Sequence, residues 1–123
     1  MRRLVLPSVA AVVVFAVVAA SAQAARFGTT SGNVRCYSGT TGSGSPYVQC
    51  DDMEARRSIS LLVTGRPSEL AFHPTFKPKL RLPVGDSINA GQIRCTAKRY
   101  GMRCKSRRSG RGFALGSGVV RLR

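Results

Sequence analysis

The sequence predicts a small all-β domain, a sandwich or barrel of short antiparallel hairpins that are stapled by disulfides. Three observations lead to this prediction. A cysteine motif occurs twice, apolar and polar residues alternate around each copy, and turn residues separate short segments along the chain. Beyond residue 25 no segment shows the 3.6-residue periodicity of a long helix. A length of 123 residues suits one domain.

Residues 1–24 have the composition of a secretory signal peptide, which places a single mature domain at 25–123. Two arginines open the segment, an apolar stretch is densest at Val9–Ala20, and Ala22 and Ala24 fit the small-x-small cleavage pattern. The alternative is a membrane anchor, but the apolar run is shorter than the about 20 residues that a membrane-spanning helix needs. We therefore predict a cleaved signal helix and a protein that is secreted, either extracellular or in the cell envelope.

The motif GNVRC, which ends at Cys36, recurs as GQIRC, which ends at Cys95, and a second cysteine follows each copy. Within each copy the cysteines share one strand face with valine, isoleucine or methionine, while arginine, lysine and glutamine lie on the other face. This alternation is typical of a half-buried antiparallel hairpin. We predict the two hairpins at about residues 33–51 and 91–106.

The disulfide pairing that we predict is local, Cys36 with Cys50 and Cys95 with Cys104. If the cysteines of the second hairpin oppose each other, the four residues KRYG remain as its loop, and the glycine adapts easily to a tight turn. Four cysteines allow three pairings, so the other two stay open at this point. A zinc site is disfavoured because the chain has no CxxC motif and a single histidine.

The cysteine motifs belong to a longer pattern, FGTTSGNVRC, then a V-x-C, then LPVGDSINAGQIRCTAKRYGMRCKSRRSGRGFAL. This pattern is similar to a family of small secreted bacterial domains of unknown function. The matching positions are Phe27, Ser31, Gly32, Asn33, Cys36, Cys50, Leu82, Gly85, Cys95, Gly101, Cys104, Gly112 and Phe113. The chain departs from the family at LPVG, where the family has L-x-Y-G, and it lacks a middle cysteine pair that many relatives carry. The resemblance implies secretion and a disulfide-stapled β domain, and it implies no activity.

Short strands are predicted outside the hairpins as well. ISLLVT (59–64) and ELAFH (69–73) read as strands, and 74–83, with three prolines in ten residues, as an extended connector or edge strand. Residues 51–58 have the composition of one helical turn with an aspartate cap. RFGTTS is interpreted as a lead-in, and FAL and VVRLR as closing strands.

Positive charge is concentrated in the C-terminal half of the chain. Residues 25–76 hold five basic and four acidic side chains, whereas 77–123 hold thirteen basic and one acidic. Seven of the thirteen fall within 98–111, and such a concentration attracts polyanions. The predicted anion-binding residues are Lys98, Arg99, Arg103, Lys105, Arg107, Arg108 and Arg111.

These observations favour a non-catalytic binding or structural module over an enzyme. The single histidine, His73, lies between apolar residues and is interpreted as structural, and the acidic group at 51–54 is typical of a turn. We predict no cofactor, no metal and no small-molecule substrate. The predicted partner is an anionic envelope polymer, an anionic lipid or extracellular nucleic acid, and the oligomeric state stays open.

Two alternatives remain at this point. The charge is mostly arginine, and an arginine-rich composition can give a basic protein that has no dedicated partner. The protein can also be a secreted inhibitor or toxin that acts on other proteins or cells. The segment SGTTGSGSP, a flexible loop by composition, is the candidate inhibitory loop, whereas the basic run lacks the apolar face of a membrane-active segment.

Overall fold

A computed structural model describes residues 25–74 and 77–123, so the predicted signal helix at 1–24 lies outside the described residues. The described part is all-β, and none of it forms a helix long and apolar enough to cross a membrane. Its strands are β1 (Arg26–Thr29), β2 (Val34–Thr40), β3 (Pro46–Asp52), β4 (Arg57–Leu62), β5 (Ser68–Leu70), β6 (Leu80–Leu82), β7 (Ser87–Ala90), β8 (Ile93–Ala97), β9 (Met102–Ser106), β10 (Gly112–Gly116) and β11 (Val119–Leu122).

The strands form two sheets that enclose one core as a sandwich. The first sheet has the order β5-β4-β3-β2-β1-β6 and the second the order β11-β10-β9-β8-β7. Neighbouring strands are antiparallel except β1 and β6, which are parallel. The predicted all-β, disulfide-stapled fold is confirmed, in its sandwich form.

The two sheets follow the same plan. Strands β1 to β5, here the first unit, form a five-stranded meander, and β7 to β11, the second unit, form another. Both units carry their cysteines on the second and third strands, and Phe27 opposes Cys36 in the first as Ile88 opposes Cys95 in the second. The repeated cysteine motif therefore marks two copies of one structural unit, and β6 is added at the edge of the first.

The predicted pairing is confirmed, because disulfides join Cys36 to Cys50 and Cys95 to Cys104. The two disulfides meet in the core, where the Sγ atoms of Cys50 and Cys104 lie 3.8 Å apart. The largest fully buried apolar side chains around them are Phe27, Val34, Val48, Ile59, Leu61, Ile93, Met102 and Leu115. Each sheet thus contributes one stapled hairpin to the centre of the sandwich.

The second hairpin has the predicted register, in which Ala97 opposes Met102, and the first has about the predicted bounds but a shorter loop than expected. β2 runs to Thr40 and β3 begins at Pro46, so four of the nine residues predicted as a flexible loop belong to strands and five remain in the loop. The missing side chain of Gly39 leaves room for the Tyr47 ring, since a Cβ added there would lie 3.2 Å from that ring. Side-chain packing therefore extends the ladder despite the glycine- and serine-rich composition.

Within 51–58 only residues 53–56 form a turn, which joins β3 to β4, so the prediction of a helical turn is wrong. The side chain of Asp52, at the end of β3, is fully buried, and its Oδ1 accepts hydrogen bonds of 3.0 Å from the backbone N–H groups of Glu54 and Ala55. Arg56 then takes a left-handed conformation with φ of 57°. The aspartate caps a tight turn because the chain must reverse at once to pair β4 with β3.

Three further strands differ from expectation. β1 occupies most of the segment interpreted as a lead-in, and β7 has no counterpart among the predicted strands. β5 covers three residues, Ser68–Leu70, where 69–73 was expected, because only these three pair with β4. β6 confirms the expected edge strand within 74–83, and it reaches β1 on the far side of the sheet.

Candidate anion-binding face

The solvent face of the second sheet carries cations on three of its five strands. Side chains alternate along a strand, so residues next to the inward-facing Cys95 and Cys104 point to solvent. The exposed cations of this face, here the basic face, are Arg94 on β8, Arg103 and Lys105 on β9, and Arg121 and Arg123 on and just beyond β11.

A first cross-strand row places two of these cations around a small residue. Arg103 on β9 opposes Ala114 on β10, and Ala114 in turn opposes Arg121 on β11. On the other side Arg103 opposes Thr96 of β8. The two arginines therefore flank an alanine, two strands apart.

A second row lies one outward position further along the strands. Arg94 opposes Lys105, and Lys105 opposes Gly112. Gly112 and Arg123 exchange backbone hydrogen bonds of 3.2 and 2.9 Å, which aligns Arg123 with the row. Lys105 and Arg123 thus flank a glycine as the arginines flank the alanine in the first row.

The small residues of β10 form the floor of a groove between the cations of β9 and β11. This groove, here the β10 groove, has a volume of about 340 Å³. Its floor includes Gly112 and Ala114. Its cationic walls are Arg103 and Lys105 on one side and Arg121 and Arg123 on the other.

The structure brings together four of the seven residues predicted to bind anions. A second groove of about 540 Å³ lies on the other side of β9. The residues predicted to bind anions that line this second groove are Lys98, Arg103, Lys105 and Arg107. Arg99 lines a separate depression beside β1, and Arg108 and Arg111 are exposed in the loop before β10, outside both grooves. The density of basic residues along the chain also fails to identify Arg121 and Arg123 as part of the site. The alternation of residues in VVRLR nevertheless places both on one face.

Acidic side chains are concentrated in the first unit. Of the five in residues 25–74 and 77–123, only Asp86 lies beyond it, at the entrance to β7. The single ion pair in this part of the chain joins Arg57 Nε to Glu69 Oε1 at 2.6 Å, and this hydrogen bond lowers the pKa of the Glu69 carboxyl. No carboxylate pairs with a cation of the basic face within the described residues.

The equivalent positions on β3 of the first sheet do not carry this positive charge. By register, Gln49 and Asp51 on β3 occupy the places of Arg103 and Lys105 on β9. Asp51 is buried, and its Oδ1 accepts hydrogen bonds from Gln49 Nε2 at 3.2 Å and from the hydroxyl of Ser58. The first unit therefore uses these two places for a buried hydrogen-bond network, and the second unit uses them for solvated cations.

The remaining equivalent positions show the same contrast. Ser68 and Leu70 on β5 hold the places of Arg121 and Arg123. Only on the second strand of the unit is the equivalent residue a cation, Arg35 on β2. At four of five equivalent positions the first sheet thus has no cation, although both units share one backbone plan.

The described residues contain no group of three His, Cys, Asp or Glu side chains placed to hold a metal ion. His73 is exposed after β5. Comparison of the chain with protein families, curated proteins and solved structures finds no match.

Proposed function

We propose that this protein is a secreted, non-catalytic binding module whose basic C-terminal half contacts an anionic polymer or surface. The main support is a comparison of the two units, which share one backbone arrangement. The second unit has five cations on its solvent face, whereas the first unit has one cation at the equivalent positions. An arginine-rich composition without a partner predicts cations spread over both units. Their concentration on one solvent face favours a binding surface.

The spacing of the strands makes the cations of this face act together. Neighbouring strands lie about 4.8 Å apart and successive outward residues about 7 Å apart, so β9 and β11 are separated by about 10 Å. These separations are close to the Debye length of about 8 Å at physiological ionic strength. The potentials of adjacent cations therefore overlap above the face and attract an anionic ligand.

A charge-matched pair of variants tests this proposal. The face variant changes Arg103, Lys105 and Arg121 to serine, and the control changes the exposed Arg66, Lys77 and Lys79 to serine. We expect the face variant to bind heparin about 10- to 100-fold more weakly, since each exposed charge contact contributes about 0.5–1 kcal/mol. Salt-gradient elution and titration at fixed salt measure the difference. Equal shifts for the two variants would show that bulk charge alone causes retention.

Export is part of the proposal, and two features support it. Two disulfides are typical of proteins that fold in an oxidising compartment. The backbone N–H of Ala25 donates to Ser38 Oγ at 3.0 Å, and its carbonyl oxygen accepts from Ser38 N–H at 2.9 Å. Cleavage after Ala24 thus leaves the described domain with its first strand intact.

N-terminal sequencing of exported protein should therefore begin at Ala25 or within about two residues of it. The physical reason is that the predicted cleavage site lies directly before β1. Material that retains Met1 and fractionates with membranes would show that the segment is an anchor instead.

A further inference from the structure

We propose that the β10 groove seats one linear chain of phosphate groups, such as the backbone of a phosphodiester polymer or polyphosphate, with its long axis along β10. This inference rests on the proposed function and narrows it to one groove and one ligand chemistry. Three properties support it: the shape of the floor, the chemistry of the walls, and the small number of exposed apolar or stacking groups on the described part of the face.

The floor of the groove is open because packing requires it. A Cβ added to Gly112 would lie 2.4 Å from the carbonyl oxygen of Cys104 and 3.1 Å from the Cα of Lys105. β10 therefore approaches β9 too closely for any side chain at this position. Ala114, which is 8% exposed, adds only a methyl group to the floor between two rows of long cationic side chains.

The width of the groove fits a single extended chain. Its walls stand on strands about 10 Å apart, and the cations on each wall are about 7 Å apart along the strand. One chain that lies between the walls can contact cations on both sides, four in all. The arrangement therefore fits a thin linear polyanion.

The chemistry of the walls favours phosphate. Three of the four wall cations are arginines, Arg103, Arg121 and Arg123. A guanidinium group offers two parallel N–H donors to the oxygens of one phosphate and stays charged at all physiological pH values. Since no carboxylate pairs with these cations in the described residues, the donors remain available to a ligand.

Lipid and base recognition require groups that this face lacks. The exposed large apolar side chains of the described residues are Leu62, Leu70, Leu80, Val84 and Leu122. All but Leu122 lie outside the second sheet, and Leu122 alternates with Arg121 and Arg123, which places it on the opposite face. Of the two aromatic residues that line the groove, Phe113 is buried and only Tyr100 is partly exposed, and one ring is too few for a stacking ladder. Recognition therefore goes through phosphate groups and is independent of base sequence.

A single substitution on the floor tests the groove. Ala114→Glu places a carboxylate between Arg103 and Arg121, where it competes with a ligand phosphate. Ser60→Glu is the matched control, because Ser60 opposes Gln49 and Ser68 and so holds the position of Ala114 in the first unit. Both variants add one negative charge at the same place on the same backbone plan.

The measurement uses the mature protein and three labelled probes, polyphosphate, single-stranded DNA and heparin, at fixed salt. We expect Ala114→Glu to weaken binding of both phosphate polymers at least tenfold more than Ser60→Glu does. Ala114→Gln, which fills the groove without charge, should give an intermediate loss. Thermal unfolding and far-UV circular dichroism show which variants are folded, and the neutral glutamine variant keeps the test decisive if the glutamate variant does not fold.

The outcomes separate the groove from the proposed function. Equal losses of affinity for Ala114→Glu and Ser60→Glu would overturn the proposal that the β10 groove is the binding site, even if the face variant shows that the basic face binds anions. Binding of heparin or anionic vesicles, but of neither phosphate polymer, would overturn the phosphate chemistry. Failure of the wild-type protein to bind any anionic probe at low salt would overturn the proposed function itself. Comparable binding of polyphosphate and DNA supports recognition of the phosphate chain, and a preference for one identifies its source.

Discussion

Replacing both cysteines of either hairpin with alanine should lower the free energy of unfolding by about 3 kcal/mol, and replacing all four should lower it further. The disulfides close loops with sequence separations of 14 and 9, and opening each loop increases the conformational entropy of the unfolded chain. A domain of this size is stable by only about 5–15 kcal/mol, so two such losses remove a large share. Urea unfolding followed by circular dichroism measures the effect.

The contact between the disulfides adds a second expectation. Since Cys50 Sγ and Cys104 Sγ lie 3.8 Å apart, removing one pair also removes packing from the other. The loss in the fourfold variant should differ from the sum of the two double variants by at least about 0.5 kcal/mol. Additive losses would show that each disulfide stabilises only its own hairpin.

Phe27→Ala should lower the free energy of unfolding by about 3–5 kcal/mol. Phe27 is fully buried on β1, where it opposes Cys36 and pairs with Leu80 of β6, and a cavity would form between the sheets. Urea unfolding measures the loss. Phe72→Ala is the control, since Phe72 is only partly buried and stacks under Arg56 at 5.3 Å. We expect the control to cost about 1 kcal/mol or less, and similar losses for both would contradict the place of β1 in the core.

The alternation of residues was sufficient to predict both hairpins, their cysteine pairing and, in the second hairpin, the register. Cys95 and Cys104 are nine positions apart, and a four-residue loop leaves only a few ways to align the strands between them. The pairing is therefore a local property. The same reasoning did not detect β1 and β7, because four residues are too few to show a period of two.

The candidate site was predicted only in part for a related reason. Charge density along the chain selects the run at 98–111, but this run includes a strand, a hairpin loop and a surface loop that point in different directions. Arg99 and Arg108 consequently lie outside both grooves of the basic face, while Arg121 and Arg123, more than ten positions away from β9, form one wall.

The sequence by itself determined the all-β class, the two stapled hairpins and the basic character of the C-terminal half, because alternation and loop length act between residues close in the chain. Only the tertiary structure decided that the hairpins belong to two copies of one unit, that their disulfides touch, and that β6 crosses to β1. It also decided that Ala114 separates Arg103 from Arg121. These features depend on which strands become neighbours. The strands become neighbours when the inner faces of both sheets are buried in one core, and no local stretch of sequence can specify that arrangement.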